Sequence, residues 1–247
     1  RDLKLSENRI ESYRNFATKL WNASRFLEMN QCATPALPEF VNAPFNQWIL
    51  NELNHAIYQT AAAVELYKFN EAADTLYHFV WNQYCDWYVE FVKPVMAESE
   101  EIRSVAAYVM HQTLHLLNPF MPFITEELNS KLFGHDEMLI VARWPDKATG
   151  ASANTGISTV IDIISKIRTI RSDMNVPLAS KPQLVIRGSS EEQRAVIDAM
   201  KIPLLRLARL EGVTYHDGEF EPGTARTTLL GMDVGLPLKG ILDFNAE

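Results

Sequence analysis

The chain has 247 residues, 47% of them hydrophobic and 22% charged, an ordinary globular composition with room for one large domain or two small ones. Its longer apolar runs, such as Val105 to Met110 and Met138 to Ala142, fall far short of the roughly 20 residues that span a bilayer, and the charged start RDLKLSENRI lacks a signal-peptide core. A net charge of −8 speaks against a general polyanion binder, because Lys and Arg supply most of the affinity for phosphates.

Helical periodicity dominates from Ser6 to Phe133. Ser6 can cap a first helix in which Ile10, Tyr13, Ala17, Leu20, Trp21 and Ser24 share one arc of the wheel and should face a core. Pro35, Pro38 and Pro44 forbid a continued helix and make NQCATPALPEFVNAP a loop. Helical spacing returns over Phe45 to Tyr67 and over Glu71 to Val92, with Asn70 as the cap of the latter and Pro94 near its end. Ser99 to Leu117 predicts a fourth helix, NPFMPF a rigid corner, and Ile124 to Leu132 a short fifth helix. Together these predict a helical bundle over residues 1–146.

Small and polar residues with two Gly mark DKATGASANTG, and residues 147–156 are expected to be a linker. Beyond it, Ile157 to Met174 predicts a helix, Gln183 to Arg187 a strand and Glu191 to Met200 another helix. Pro203 should interrupt that helix and leave a last turn or two from Leu204 to Leu210. Val213 to His216, Thr227 to Leu230, Asp233 to Leu238 and Ile241 to Phe244, short and separated by Gly or Pro, suit strands. The expected fold is therefore mainly α, a helical bundle followed by a small α+β domain over residues 157–247.

Few motifs carry chemistry. HQTLH, residues 111–115, puts two His four apart on one helix face, the spacing of a metal pair. Gln112 stands where a hydrolase of that type has its general base, and no third ligand is recognisable downstream, so His111 and His115 are expected to pack within the bundle. No phosphate loop, dinucleotide fingerprint or nucleophile elbow is present, and no catalytic residue, metal or cofactor is expected in the chain. Adjacent carboxylates such as Glu100 and Glu101 lie near helix starts, where they complement the macrodipole. Cys32 and Cys85 are far apart and read as free thiols of a reducing cytoplasm.

The charge is unevenly spread. Residues 1–30 carry six basic and four acidic side chains and residues 157–187 five and two, while residues 31–156 sum to −9 and residues 188–247 to −4. Two local basic stretches on an acidic chain can meet a polyanion, and excesses this small also arise as ordinary surface variation. With the apolar arc of the first helix turned inward, Asn15, Lys19, Asn22 and Phe26 fall on the far side, beside a ridge of Arg14, Thr18 and Arg25, with Arg9 on the rim and Glu11 nearby. Cations for phosphates, amides for base edges and an aromatic for stacking are what a single-stranded RNA loop requires. The same pattern also describes a solvated helix face with Phe26 tucked under the following loop. Lys166, Arg168 and Arg171 form a second basic cluster, open to an RNA, to another protein surface or to solvent alone.

The segment RDLKLSENRIESYRNFATKLWNASRF resembles the stretch that follows the catalytic domain in bacterial valyl-tRNA synthetases of class I, through Arg14, Asn15, Phe16, Lys19, Leu20, Trp21, Asn22, Arg25 and Phe26. FNEAADTLYHFVWNQYCDWYVEFVKP, HLLNPFMPFITEELNSKLF and LIVARWPD resemble successive helices of the same anticodon-binding domain, and IRTIRSDMNVP and LPLKGILD the small α/β region after it. The second half of NPFMPFITEEL is shared with related synthetases, whereas KLWNASRF points to valine. The resemblance implies an anticodon-binding helical bundle whose partner is the anticodon stem-loop of valine tRNA, with Arg14, Lys19 and Arg25 on phosphates or bases, Asn15 and Asn22 on base edges, Phe26 stacking and Arg9 a weaker contact. It assigns Leu20 and Trp21 to packing. The catalytic HIGH-type and KMSKS-type motifs are absent, so ATP, Mg and amino-acid activation are expected to belong to a longer parent, of which this chain, lacking an initiator Met, reads as a piece ending near a coiled-coil arm. A cytoplasmic monomer with no DNA or membrane partner is implied. The alternatives are a helical interaction or scaffold domain and the equivalent module of an isoleucyl- or leucyl-tRNA synthetase.

Overall fold

Helix α1 (Glu7–Met29) starts directly after Ser6 and buries Phe16, Leu20, Ala23, Ser24 and Leu27, a stripe at helical spacing. The stripe is turned away from the predicted arc, leaving Ile10 and Tyr13 exposed at 55% and 65%. Its direction is set by Phe16, which stacks on Tyr77 with ring centres 5.2 Å apart. The computed structural model describes residues 6–134, 137–153 and 156–241, and the side chains of Asn8 and Arg9 lie outside the described part. The chain divides into two compact units, Arg1–Asn154 and Thr155–Glu247.

In the first unit, α2 (Pro44–Glu65) opens on Pro44, where a missing N–H costs no intrahelical bond. It buries Trp48, Ile49, Leu50 and Leu53. Helix α3 (Phe69–His78) begins two residues before the predicted start, with Lys68 rather than Asn70 at the N-cap. It runs without a break into ten π-helical residues, Phe79–Tyr88, and then α4 (Val89–Val92). Within this run Tyr84 and Tyr88 are fully buried and stacked 5.8 Å apart. Their hydroxyls donate to the Ala106 carbonyl at 3.3 Å and to Asn46 Oδ1 at 2.8 Å, so that neither phenol is buried unsatisfied. Ser99 Oγ caps α5 (Glu100–Leu117) by accepting from the Ile102 N–H at 3.3 Å. Helix α6 (Pro122–Phe133) follows the NPFMPF corner, with Pro122 at its first position. Part of the Gly-bearing segment lies along α2, where Asn54 bonds both the N–H and the carbonyl of the buried Ala148, at 2.6 and 3.0 Å.

In the second unit, α7 (Ile157–Asp173) buries Ile157, Val160, Ile163, Ile164 and Ile167. Strand β1 (Gln183–Arg187) leads into α8 (Glu191–Ala199), which Ser190 and Gln193 open with a reciprocal capping box. The interruption predicted at Pro203 falls earlier, at Met200. Pro203 instead sits in the first turn of α9 (Lys201–Ala208), where N–H groups have no helical acceptor. Strands β2 (Gly212–Tyr215), β3 (Thr224–Leu229) and β4 (Met232–Pro237) complete a sheet of order β2-β1-β4-β3. β1 and β2 are parallel, as a helical crossover allows, and the other pairs are antiparallel. Leu230 and Gly231, at φ +49° and +80°, make the tight β3–β4 turn. Ile241 lies in a turn, and residues 242–244 of the last expected strand fall outside the described residues.

Candidate nucleic-acid interface

Because the buried stripe of α1 runs through Phe16, Leu20, Ala23 and Leu27, its opposite side carries Arg14, Asn15, Thr18, Asn22 and Arg25, all exposed. Arg14 pairs with Glu11 at 3.3 Å, a solvent-exposed contact of little energetic weight that leaves its guanidinium available. Arg25 has no ion-pair partner among the described residues. This row combines two guanidiniums with two amides, the donors needed for phosphate oxygens and base edges.

Two further predicted residues lie at the flank. The Lys19 ammonium is 2.5 Å from Asp86 Oδ1 and 3.8 Å from the centre of the Trp81 ring, and its side chain is only 23% exposed. Trp81 and Asp86 stand five residues apart in the π-helical stretch, whose i to i+5 bonding brings such a pair to one side; an α-helix would separate them. The Trp81 ring continues a stack with Tyr77, 5.6 Å away, and through it Phe16. Phe26 is half-buried, with the Lys93 ammonium 5.9 Å from its ring centre. Arg9 belongs to α1, but its side chain lies outside the described residues.

Sequence periodicity did not reveal a neighbour of this face. A groove of about 400 Å³ between α1 and α6 is lined by Trp21, Ser24, Arg25, Glu28, Leu128 and Lys131. Lys131 holds Glu127 at 2.9 Å and lies 4.4 Å from the centre of the half-buried Trp21 ring. Nothing local to α6 marks Lys131, since its place depends on tertiary packing against α1.

The remaining candidates have structural surroundings. His111 and His115 are 4.4 Å apart between ring centres, and His115 Nδ1 bonds the His111 carbonyl oxygen at 2.8 Å. Burial, and then the charge of His115, lower the His111 pKa to about 4. Among the described residues no group of three or more His, Cys, Asp or Glu is arranged to hold a metal. Cys32 and Cys85 are free and buried, and burial pushes their thiols up to about 11 and about 12. The second basic cluster is split: Lys166 and Arg168 are exposed, whereas Arg171 is buried. Among the described residues no helix is long and apolar enough to cross a membrane.

A family model described as the anticodon-binding domain of tRNA ligase matches residues 46–186, a span that leaves out α1. Over its whole length the chain is 38% identical to the valine–tRNA ligase of Bradyrhizobium diazoefficiens, 42% to that of Rhizobium meliloti and 42% to that of Caulobacter vibrioides. It spans 30%, 27% and 29% of the length of these relatives.

Proposed function

The chain belongs to the family of anticodon-binding domains of tRNA ligases, and on that premise we propose that it holds the anticodon stem-loop of a valine tRNA. The whole protein is then a cytoplasmic, monomeric valine–tRNA ligase that joins valine to tRNA with ATP and Mg. This chain contributes recognition and no catalytic group. Valine and threonine are nearly isosteric, so discrimination at the amino acid is limited, and bases read at a distance supply a second check.

The observation that carries this reading is the outward row of Arg14, Asn15, Asn22 and Arg25 on an otherwise acidic chain. Guanidiniums at the row's ends take phosphates, the two amides take base edges, and the half-buried Phe26 ring offers a stacking surface. Lys19, engaged by Asp86 and Trp81, contributes mainly its field. Titrating the chain with valine tRNA and with the same tRNA carrying a swapped anticodon, at two salt concentrations, tests the assignment. We expect the swap to weaken binding about tenfold or more, since each good base contact is worth about 1–3 kcal/mol. Equal binding of the two RNAs would overturn it.

A further inference from the structure

Three arginines of the second unit converge on one depression. Arg168 and Arg171 are neighbours along α7, and Arg209 follows α9 in a left-handed conformation, φ +53°. Arg171, only 7% exposed, donates through Nη2 to the carbonyls of Pro177 and Ser180, both at 3.0 Å, and through Nη1 to that of Arg209 at 3.4 Å. Arg168 Nε donates to the Leu207 carbonyl at 3.2 Å and Arg209 Nη1 to that of Leu178 at 3.0 Å.

The carbonyls around Arg171 and Arg209 fix the direction of those two guanidiniums but bring no net charge. Among the described residues neither Arg171 nor Arg209 has a carboxylate at ion-pair distance. Carboxylates are not scarce, because residues 188–247 sum to −4 and the same unit pairs Arg187 with Asp233 and Arg194 with Asp217. Burial, and then the charge of Arg209, pull the Arg171 guanidinium below its usual range. A buried cation beside a like charge, with no counter-ion among the described residues, is costly to keep. The depression in front of it measures about 610 Å³, is open to solvent, and has Ser172 and Asn175 on its rim.

We propose that the Arg168, Arg171 and Arg209 depression is an anion site that takes a phosphate of an RNA backbone. Guanidinium forks match phosphate oxygens in pairs, and the two like charges of Arg171 and Arg209 suit a phosphate better than a single carboxylate. The proposal rests on the RNA-binding reading above for the identity of the polyanion, but not on the α1 face.

The test uses the whole chain, with Arg168→Gln and Arg209→Gln combined, titrated with valine tRNA and its anticodon-swapped form at about 50 and 200 mM salt, the range over which such contacts respond strongly. The expected result is a loss of affinity of roughly three- to tenfold for both RNAs, a salt slope flatter by about 1 to 2, and an unchanged ratio between the two RNAs. A second variant, Ser172→Glu, sets a carboxylate on the rim without touching any arginine–carbonyl bond and should weaken both RNAs alike. Unchanged affinity and slope in a folded variant overturn the proposal and direct the site to a protein carboxylate or free inorganic phosphate. Equal binding of both RNAs by the unsubstituted chain would sink the anticodon assignment, while a loss in these variants would still stand.

Discussion

At the scale of single residues, His111 shows how packing decides a group that spacing leaves ambiguous. Its ring meets Phe133 edge-on at 5.0 Å and His115 at 4.4 Å, and burial, more than the charge of His115, lowers its pKa to about 4. An unfolded His titrates near 6.5, so between those values the unfolded chain binds more protons and stability rises with pH. The contribution is complete above about 6.5 and is lost as pH falls through about 4. Urea unfolding at a series of pH values should therefore show a midpoint that falls across this window, and His111→Gln should flatten that part of the profile. A variant with the same pH slope as the parent would mean that His111 titrates alike in the folded and unfolded chain, so that burial does not lower its pKa.

At the scale of elements, α1 and the π-helical stretch are coupled through Lys19, and two substitutions separate packing from recognition. Lys19→Met removes a partly screened ion pair and a cation–π contact, together worth about 1–2 kcal/mol, and leaves Asp86 without its cation. Arg25→Ala removes an exposed side chain with no ion-pair partner among the described residues. We expect the first to lower the urea midpoint with a small effect on RNA affinity, and the second to do the reverse. Lys19→Met weakening RNA as much as Arg25→Ala, at unchanged stability, would make Lys19 a contact residue. Secondary structure was legible where periodicity and turn chemistry are local: Gln183 to Arg187 forms β1 over its predicted span, and Ser99 begins α5 as its cap. The rotation of α1 was not legible, because Tyr77, far away in sequence, draws Phe16 inward. Nor was the π-helical register, whose apolar spacing over 79–88 resembles an α-helix until tertiary contacts select between them. Helical spacing set Arg14, Asn15, Asn22 and Arg25 off the apolar arc, and all four are exposed. Lys19 and Phe26 differ because Trp81, Asp86 and Lys93 come from a distant element.

At the scale of the whole molecule, an RNA-binding chain with a net charge of −8 must approach a polyanion against its own average field. Charge far from a contact acts through that field, on encounter and on total affinity, whereas discrimination between bases depends on short-range geometry. The two should separate under salt. At about 0.01 M ionic strength the screening length is about 30 Å, comparable with the length of a 23-residue helix such as α1, and at physiological ionic strength it is about 8 Å. Glu39 and Glu98 are exposed and have no ion-pair partner among the described residues. Replacing both by Gln should raise affinity for valine tRNA and its anticodon-swapped form by the same factor, about two- to fivefold at low salt, and the gain should fade as salt is raised to physiological strength. Titrations of both RNAs at the two ionic strengths read this directly. A gain for one RNA alone would place Glu39 or Glu98 at the recognition surface, and a gain that persists at physiological salt would mean that the acidic remainder repels RNA by contact rather than through its field.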